Sequence, residues 1–167
     1  MLHFLRIIGL GLLTGSRTLA VLATLSSRLA QQQSSGVTGS LCWLTNRWAA
    51  RLLQIMAAGE LVADKVPDIP SRTESGPLVG RTLVGALTGT LYCAAQGRSR
   101  VVGALLGAVS AAAGAFVGYH LRRNAVEESG LPDPLVALIE DSIVLSGARV
   151  LLCDVDVDSE THNPAAR

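Results

Sequence analysis

The stretch Glu60-Leu61-Val62-Ala63-Asp64-Lys65-Val66-Pro67, followed at once by Asp68-Ile69-Pro70-Ser71-Arg72-Thr73, decides how the rest of the chain is read. It closes an apolar segment with ionisable residues. Such residues are costly in hydrocarbon, so within membrane-length segments they mark functional or paired positions. Glu60 and Asp64 are four apart, which on a helix puts both carboxylates on one face. Pro67 and Pro70 then stop the helix and force an extended turn.

Composition fits that setting. The 167 residues are 49% hydrophobic and only 16% charged, against about 25% charge in an average soluble domain. Mean hydropathy is +0.41. The formal net charge of +1 gives no general attraction to polyanions, so no nucleic-acid partner is expected. The expected partner is a lipid bilayer.

Five apolar segments follow. The first, about Ile7 to Leu25, is interrupted by Thr14-Gly15-Ser16-Arg17. A Gly/Ser pair is a known kink site, so this helix is expected to break near Gly15. An arginine in its middle fits a cleaved secretory signal poorly, and a retained first membrane helix is the better reading. A polar loop, Gln31 to Gly36, comes next. The second segment runs from about Trp48 to Val66, with Trp43 and Trp48 suited to an interfacial belt and Arg47 and Arg51 placed to snorkel. The third starts at Pro77 and ends near Gln96-Gly97. The fourth, Val101 to Tyr119, has nineteen residues without a charge. The fifth opens with Asp133 as an N-cap and Pro134 in the first turn and runs to Leu152. The expected fold is therefore an all-α polytopic membrane bundle of about five hydrophobic helices over residues 1–153. Residues 154–167 read as a disordered acidic tail.

Gly76/Gly80, Gly85/Gly89, Gly103/Gly107/Ala111 and Gly114/Gly118 repeat small residues at four-residue spacing. Such faces let helix backbones approach closely in lipid. Tight packing within one bundle is the expected use, and a homo-oligomer through these faces is the alternative. With five crossings the basic residues balance: Arg6, Lys65, Arg72, Arg122 and Arg123 on one side, Arg28, Arg47, Arg51, Arg98 and Arg100 on the other. Orientation then has no charge bias.

The embedded charges form the candidate site. Its cations are Arg17, Arg81 and Arg149, with Lys65 and Arg72 near the segment ends. Its anions are Glu60, Asp64, Glu140 and Asp141. Buried charges pair or face water, so Glu60 is expected to face the bundle interior and to pair with Arg17 or Arg81. Two readings of this polar centre compete. One is a small-solute or ion transporter, since carboxylates supply hard oxygen ligands for cations. The other is a non-catalytic membrane assembly or support protein in which the charges only fix helix register.

Enzymatic signals are missing. There is no GxGxxG, Walker or HExxH pattern, and no histidine is placed to serve Ser142 and Asp141. Cys42, Cys93 and Cys153 are scattered, so no metal and no cofactor are expected.

At these residues the chain resembles a known family. Gly15-x-Arg17, the Glu60-Leu61-x-x-Asp64-Lys65-x-Pro67-x-x-Pro70-Ser71-Arg72-Thr73 block, Arg81, and Leu131-Pro132-Asp133 followed by Glu140-Asp141 are similar to the domain of unknown function 4126 family. The resemblance spans about Leu5 to Leu152, and the block with Pro-Ser-Arg-Thr is its most specific part. It implies a small multi-pass protein of the bacterial inner membrane and supplies no activity.

Overall fold

A computed structural model describes residues 2–32, 37, 39–63, 75–129 and 133–153. Among them there are six α-helices and no strand: α1 (Leu2–Ser16), α2 (Thr18–Gln31), α3 (Arg47–Ala63), α4 (Ser75–Ala95), α5 (Arg100–Ser129) and α6 (Asp133–Leu151). A 3-10 turn over Gly39–Thr45 leads into α3. The all-α class agrees with the apolar segments, and α3, α4 and α6 keep close to the expected limits, whereas α5 continues ten residues past Tyr119 to Ser129, because Arg122 and Arg123 end the uncharged run without ending the helix. The expected tail at 154–167 and the loop at 33–36 lie outside the described residues.

The first apolar segment departs from its expected course. It breaks at Arg17, whose backbone is extended (φ −130°, ψ 102°), and the break is a reversal rather than a kink. Along α6 the register makes this plain. On α1, Gly9 faces Leu151, Leu13 faces Gly147, and Ser16 Oγ donates to Glu140. On α2 the order inverts: Arg17 meets Asp141, while Arg28 lines a cavity with Arg149. The α3 contacts agree, since Leu19 meets Glu60 and Ser27 meets Gln54. Thus α1 and α2 form a helical hairpin that enters and leaves at one end of the bundle. Each arm, of 15 and 14 residues, is roughly 22 Å long at 1.5 Å per residue.

Gly15 does not make this turn; no positive φ occurs there, and its role is packing. A Cβ at Gly15 would lie 2.2 Å from the Ala111 carbonyl oxygen of α5, and one at Gly114 would lie 2.2 Å from that of Leu12. The α4–α5 pair uses the same device. A Cβ at Gly89 would lie 2.1 Å from Gly103 O, and one at Gly107 would lie 2.2 Å from Gly85 O. These glycines therefore pack within the chain, whereas Gly76 and Gly80 have nothing within 4 Å of a Cβ. A positive φ is needed instead at Gly97 (φ 61°), which ends α4. There Arg98 N–H donates to Cys93 O (2.8 Å) and Gly97 N–H to Ala94 O (3.2 Å), the paired bonds of a Schellman cap.

The core is built largely of small and branched residues of α1, α2 and α4, with Leu10, Val21, Leu25, Leu29, Leu91 and Tyr92 fully buried. Large apolar side chains instead cover the outside of the later helices. Leu52, Ile55 and Met56 on α3, Leu83 on α4, Val101, Leu105 and Val109 on α5, and Leu138, Ile139 and Ile143 on α6 are exposed. Residues i, i+4 and i+8 of α5 thus make an apolar outer stripe. Two helical stretches, Gly76–Ala95 and Arg100–Ala125, are long and apolar enough to cross a membrane.

Candidate polar centre at the helix reversal

A helix reversal inside a bundle exposes backbone groups with no intrahelical partner: carbonyls at the end of α1 and amides at the start of α2. The chain supplies a complementary charge to each. Arg81 Nη1, from α4, donates to Gly15 O (2.6 Å) and Ser16 O (2.9 Å). Glu60, from α3, accepts from Thr18 N–H through Oε1 (3.0 Å) and from Leu19 N–H through Oε2 (2.9 Å). A cation thus sits on the negative end of one helix dipole and an anion on the positive end of the other. Arg17, formally the N-cap of α2, makes no side-chain cap bond, so the cap comes from another helix.

Two further contacts tie the tip to α6. Arg17 Nε lies 2.5 Å from Asp141 Oδ1, with side chains 3% and 12% exposed. Ser16 Oγ donates to Glu140 Oε1. The backbone also contributes, since Arg17 N–H donates to Leu13 O (2.9 Å) and completes the last turn of α1.

Of the sequence candidates, Arg17, Glu60, Arg81, Glu140 and Asp141 therefore meet at one place. Their pairing differs from expectation. Glu60 faces inward, but its partners are backbone amides rather than the Arg17 or Arg81 side chain. The reason is competition: the reversal offers two converging N–H donors at a helix end. Arg149 is not part of the centre, being two turns further along α6. Asp64, Lys65 and Arg72 lie outside the described residues. Sequence reasoning missed Ser16, and the signal for it was the polar Gly-Ser-Arg-Thr interruption itself.

A cleft of about 410 Å³ between α1, α5 and α6 opens beside this centre. Its walls are mainly apolar, with Leu13, Val117, Leu121, Ile143 and Val144, while Ser16, Glu140 and Arg122 are its polar members. Gly118 borders the polar end: a Cβ there would lie 3.6 Å from Ser16 Oγ and 3.8 Å from Glu140 Oε1. Glu140 is thus the carboxylate of the centre that also meets a cleft. The described cysteines are free, with Cys42 and Cys153 exposed and Cys93 buried.

No curated protein and no solved structure matches the chain. The family model for a domain of unknown function (DUF4126) matches residues 4–152, and the chain belongs to that family.

Proposed function

We propose that the protein is a multi-pass membrane protein of the bacterial inner membrane that carries a small solute or an ion through the polar centre at the hairpin tip. In this reading α3 to α6 cross the bilayer, and α1–α2 is a re-entrant hairpin. Two apolar helices of spanning length, the apolar outer faces of α3 to α6 and the small residues between α4 and α5 support the membrane setting. The observation that carries transport is the reversal itself, set beside a cleft that reaches Ser16 and Glu140. Non-helical backbone at membrane depth persists only where protein buries it or where it lines a cavity. Half-helix ends meeting in a bundle are how many carriers hold ions and polar groups. Glu60 and Arg81 hold the two half-helix ends, Arg17–Asp141 fixes α6 to them, and Glu140 meets the cargo.

The re-entrant hairpin also gives the chain a charge bias. Arg6, Arg28, Arg47, Arg51, Arg98, Arg100 and Arg149 belong to the end where the hairpin opens, and Arg122 and Arg123, together by chain order with Lys65 and Arg72 of the α3–α4 connection, to the other. The positive-inside rule then favours a cytoplasmic hairpin mouth, with Leu2 and Cys153 on the same side. A cysteine replacing exposed Leu2 is expected to react with an impermeant maleimide from the same side as Cys42 and Cys153, and one replacing Asn124 from the opposite side. Labelling of position 2 and Cys42 from opposite sides would restore a five-crossing topology.

Transport is tested in liposomes holding the purified full chain. Sodium, potassium, magnesium and phosphate are offered in turn, and uptake of each is measured. At least one gradient is expected to drive uptake that Glu140→Gln reduces tenfold or more with helical content unchanged. Uptake equal to that of empty liposomes in every gradient would reject the reading. The second reading, a support protein with structural charges, is favoured by one fact: Glu60 and Arg81 already hold backbone groups, and Arg17 is paired with Asp141. It expects Glu140→Gln to change thermal stability alone.

A further inference from the structure

A second cavity, of about 360 Å³, lies between α2, α3 and α6, away from the hairpin tip. Two guanidiniums from different helices line it, Arg28 in the last turn of α2 and Arg149 in the last turn of α6. Among the described residues, no acidic side chain lines it. Its hydroxyls are already committed: Thr24 Oγ1 donates to Ala20 O (2.8 Å), and Ser27 Oγ donates to Ala23 O (2.7 Å) while accepting from Gln54 Nε2 (2.8 Å). The donors left for a ligand are therefore the two arginines and the Gln31 amide. Neither arginine has an ion-pair partner among the described residues. Two like charges lining one cavity repel, so an anion between them is favoured, and the guanidinium fork matches phosphate oxygens.

From the arginines the cavity continues onto Ala20, Ala57 and Leu145, an apolar floor. α2 packs on both α3 and α6, while α3 and α6 have no substantial contact among the described residues, so the cavity lies in a gap between two outer helices. A phosphate alone would leave that floor bare, whereas a phosphate with an acyl chain attached covers both parts. We propose that Arg28 and Arg149 hold the phosphate of an anionic glycerophospholipid whose chain lies over Ala20, Ala57 and Leu145. The inference rests on the membrane reading above but not on transport. Basic pockets between spanning helices on the cytoplasmic side are suited to anionic headgroups, and the charge bias assigns this end to the cytoplasm.

The full chain in dodecylmaltoside micelles is titrated with phosphatidylglycerol, phosphatidylcholine or sodium phosphate, followed by native mass spectrometry and thermal unfolding. Phosphatidylglycerol is expected to bind at least tenfold more tightly than phosphatidylcholine. Arg28→Gln and Arg149→Gln should each weaken it about fivefold, and the double variant about thirtyfold, at the strength of one surface arginine per charge. Arg28→Lys and Arg149→Lys keep the charge but lose the fork and should weaken binding less than the matching glutamine variants, which also covers the case of a double variant that does not fold. Equal binding of the two lipids, or an unchanged affinity in both glutamine variants, would overturn the proposal. Displacement of phosphatidylglycerol by millimolar sodium phosphate would overturn it too and assign the site to a free anion. Failure of the membrane reading looks different: alkaline carbonate would then release the protein from the membrane fraction, whereas failure of this inference alone leaves it there.

Discussion

Glu60→Ala is expected to destabilise the detergent-solubilised protein by about 3–5 kcal/mol. The side chain makes two charge-assisted bonds, to Thr18 N–H and Leu19 N–H, and bonds to charged groups are worth about 1.5–3 kcal/mol each. Removing the carboxylate leaves both half-buried amides at the start of α2 without their acceptor. Glu60→Gln keeps one acceptor oxygen and is expected to lose about half as much. The second half of the prediction concerns rescue. Charge balance alone says that Arg17→Gln should offset Glu60→Gln, because it removes the cation left behind. The geometry says otherwise, since Glu60 serves the backbone and Arg17 serves Asp141. Adding Arg17→Gln to Glu60→Gln should therefore lower the thermal midpoint further. Recovery of stability in the double variant would show that the two side chains are partners after all, and a stable Glu60→Ala would show that α2 has no need of the cap.

The starts of α3 to α6 were legible because their signals are local, although the uncharged run did not show that α5 continues to Ser129. Pro134 sits in the first turn of α6, Gly97 stops α4, and an uncharged run marks α5. The reversal at Arg17 was not legible, because apolar content carries no direction: a kinked helix and a hairpin have the same hydropathy profile. What turns the chain back is distant in sequence, namely Arg81 on the carbonyls of Gly15 and Ser16 and Glu60 on the amides of Thr18 and Leu19. The same blindness governed the pairing. From charges alone, Glu60 has only arginines to choose from. Once the helix breaks, uncharged backbone becomes the better partner, and Arg17 turns to Asp141. Gly15 shows the complementary case: it sits at the break but answers to the close approach of α5. The Arg28–Arg149 cavity could not be read at all, since its two arginines come together only because α2 runs back toward the end where α6 finishes.

Arg17→Gln is expected to cost about 3–5 kcal/mol, and Asp141→Asn added to it should return most of that loss. The pair is close, 2.5 Å from Nε to Oδ1, with both side chains largely withdrawn from solvent. Breaking a buried pair from one side strands the other charge, which is costly; replacing both with neutral groups of similar shape is often nearly neutral. The pair also has a mechanical duty, because Arg17 at the tip and Asp141 on α6 fix the level at which Ser16 meets Glu140. The two effects separate in one experiment. If the ion pair acts only through its charges, Arg17→Gln/Asp141→Asn restores both the thermal midpoint and any flux that depends on Glu140. If it also sets the geometry of the tip, the double variant regains stability while flux stays low, because amide groups do not hold the tip and α6 in the same register. A double variant no more stable than Arg17→Gln alone would mean that Asp141 is not the charge left stranded, and the assignment of this pair as the lock between the hairpin and α6 would fall.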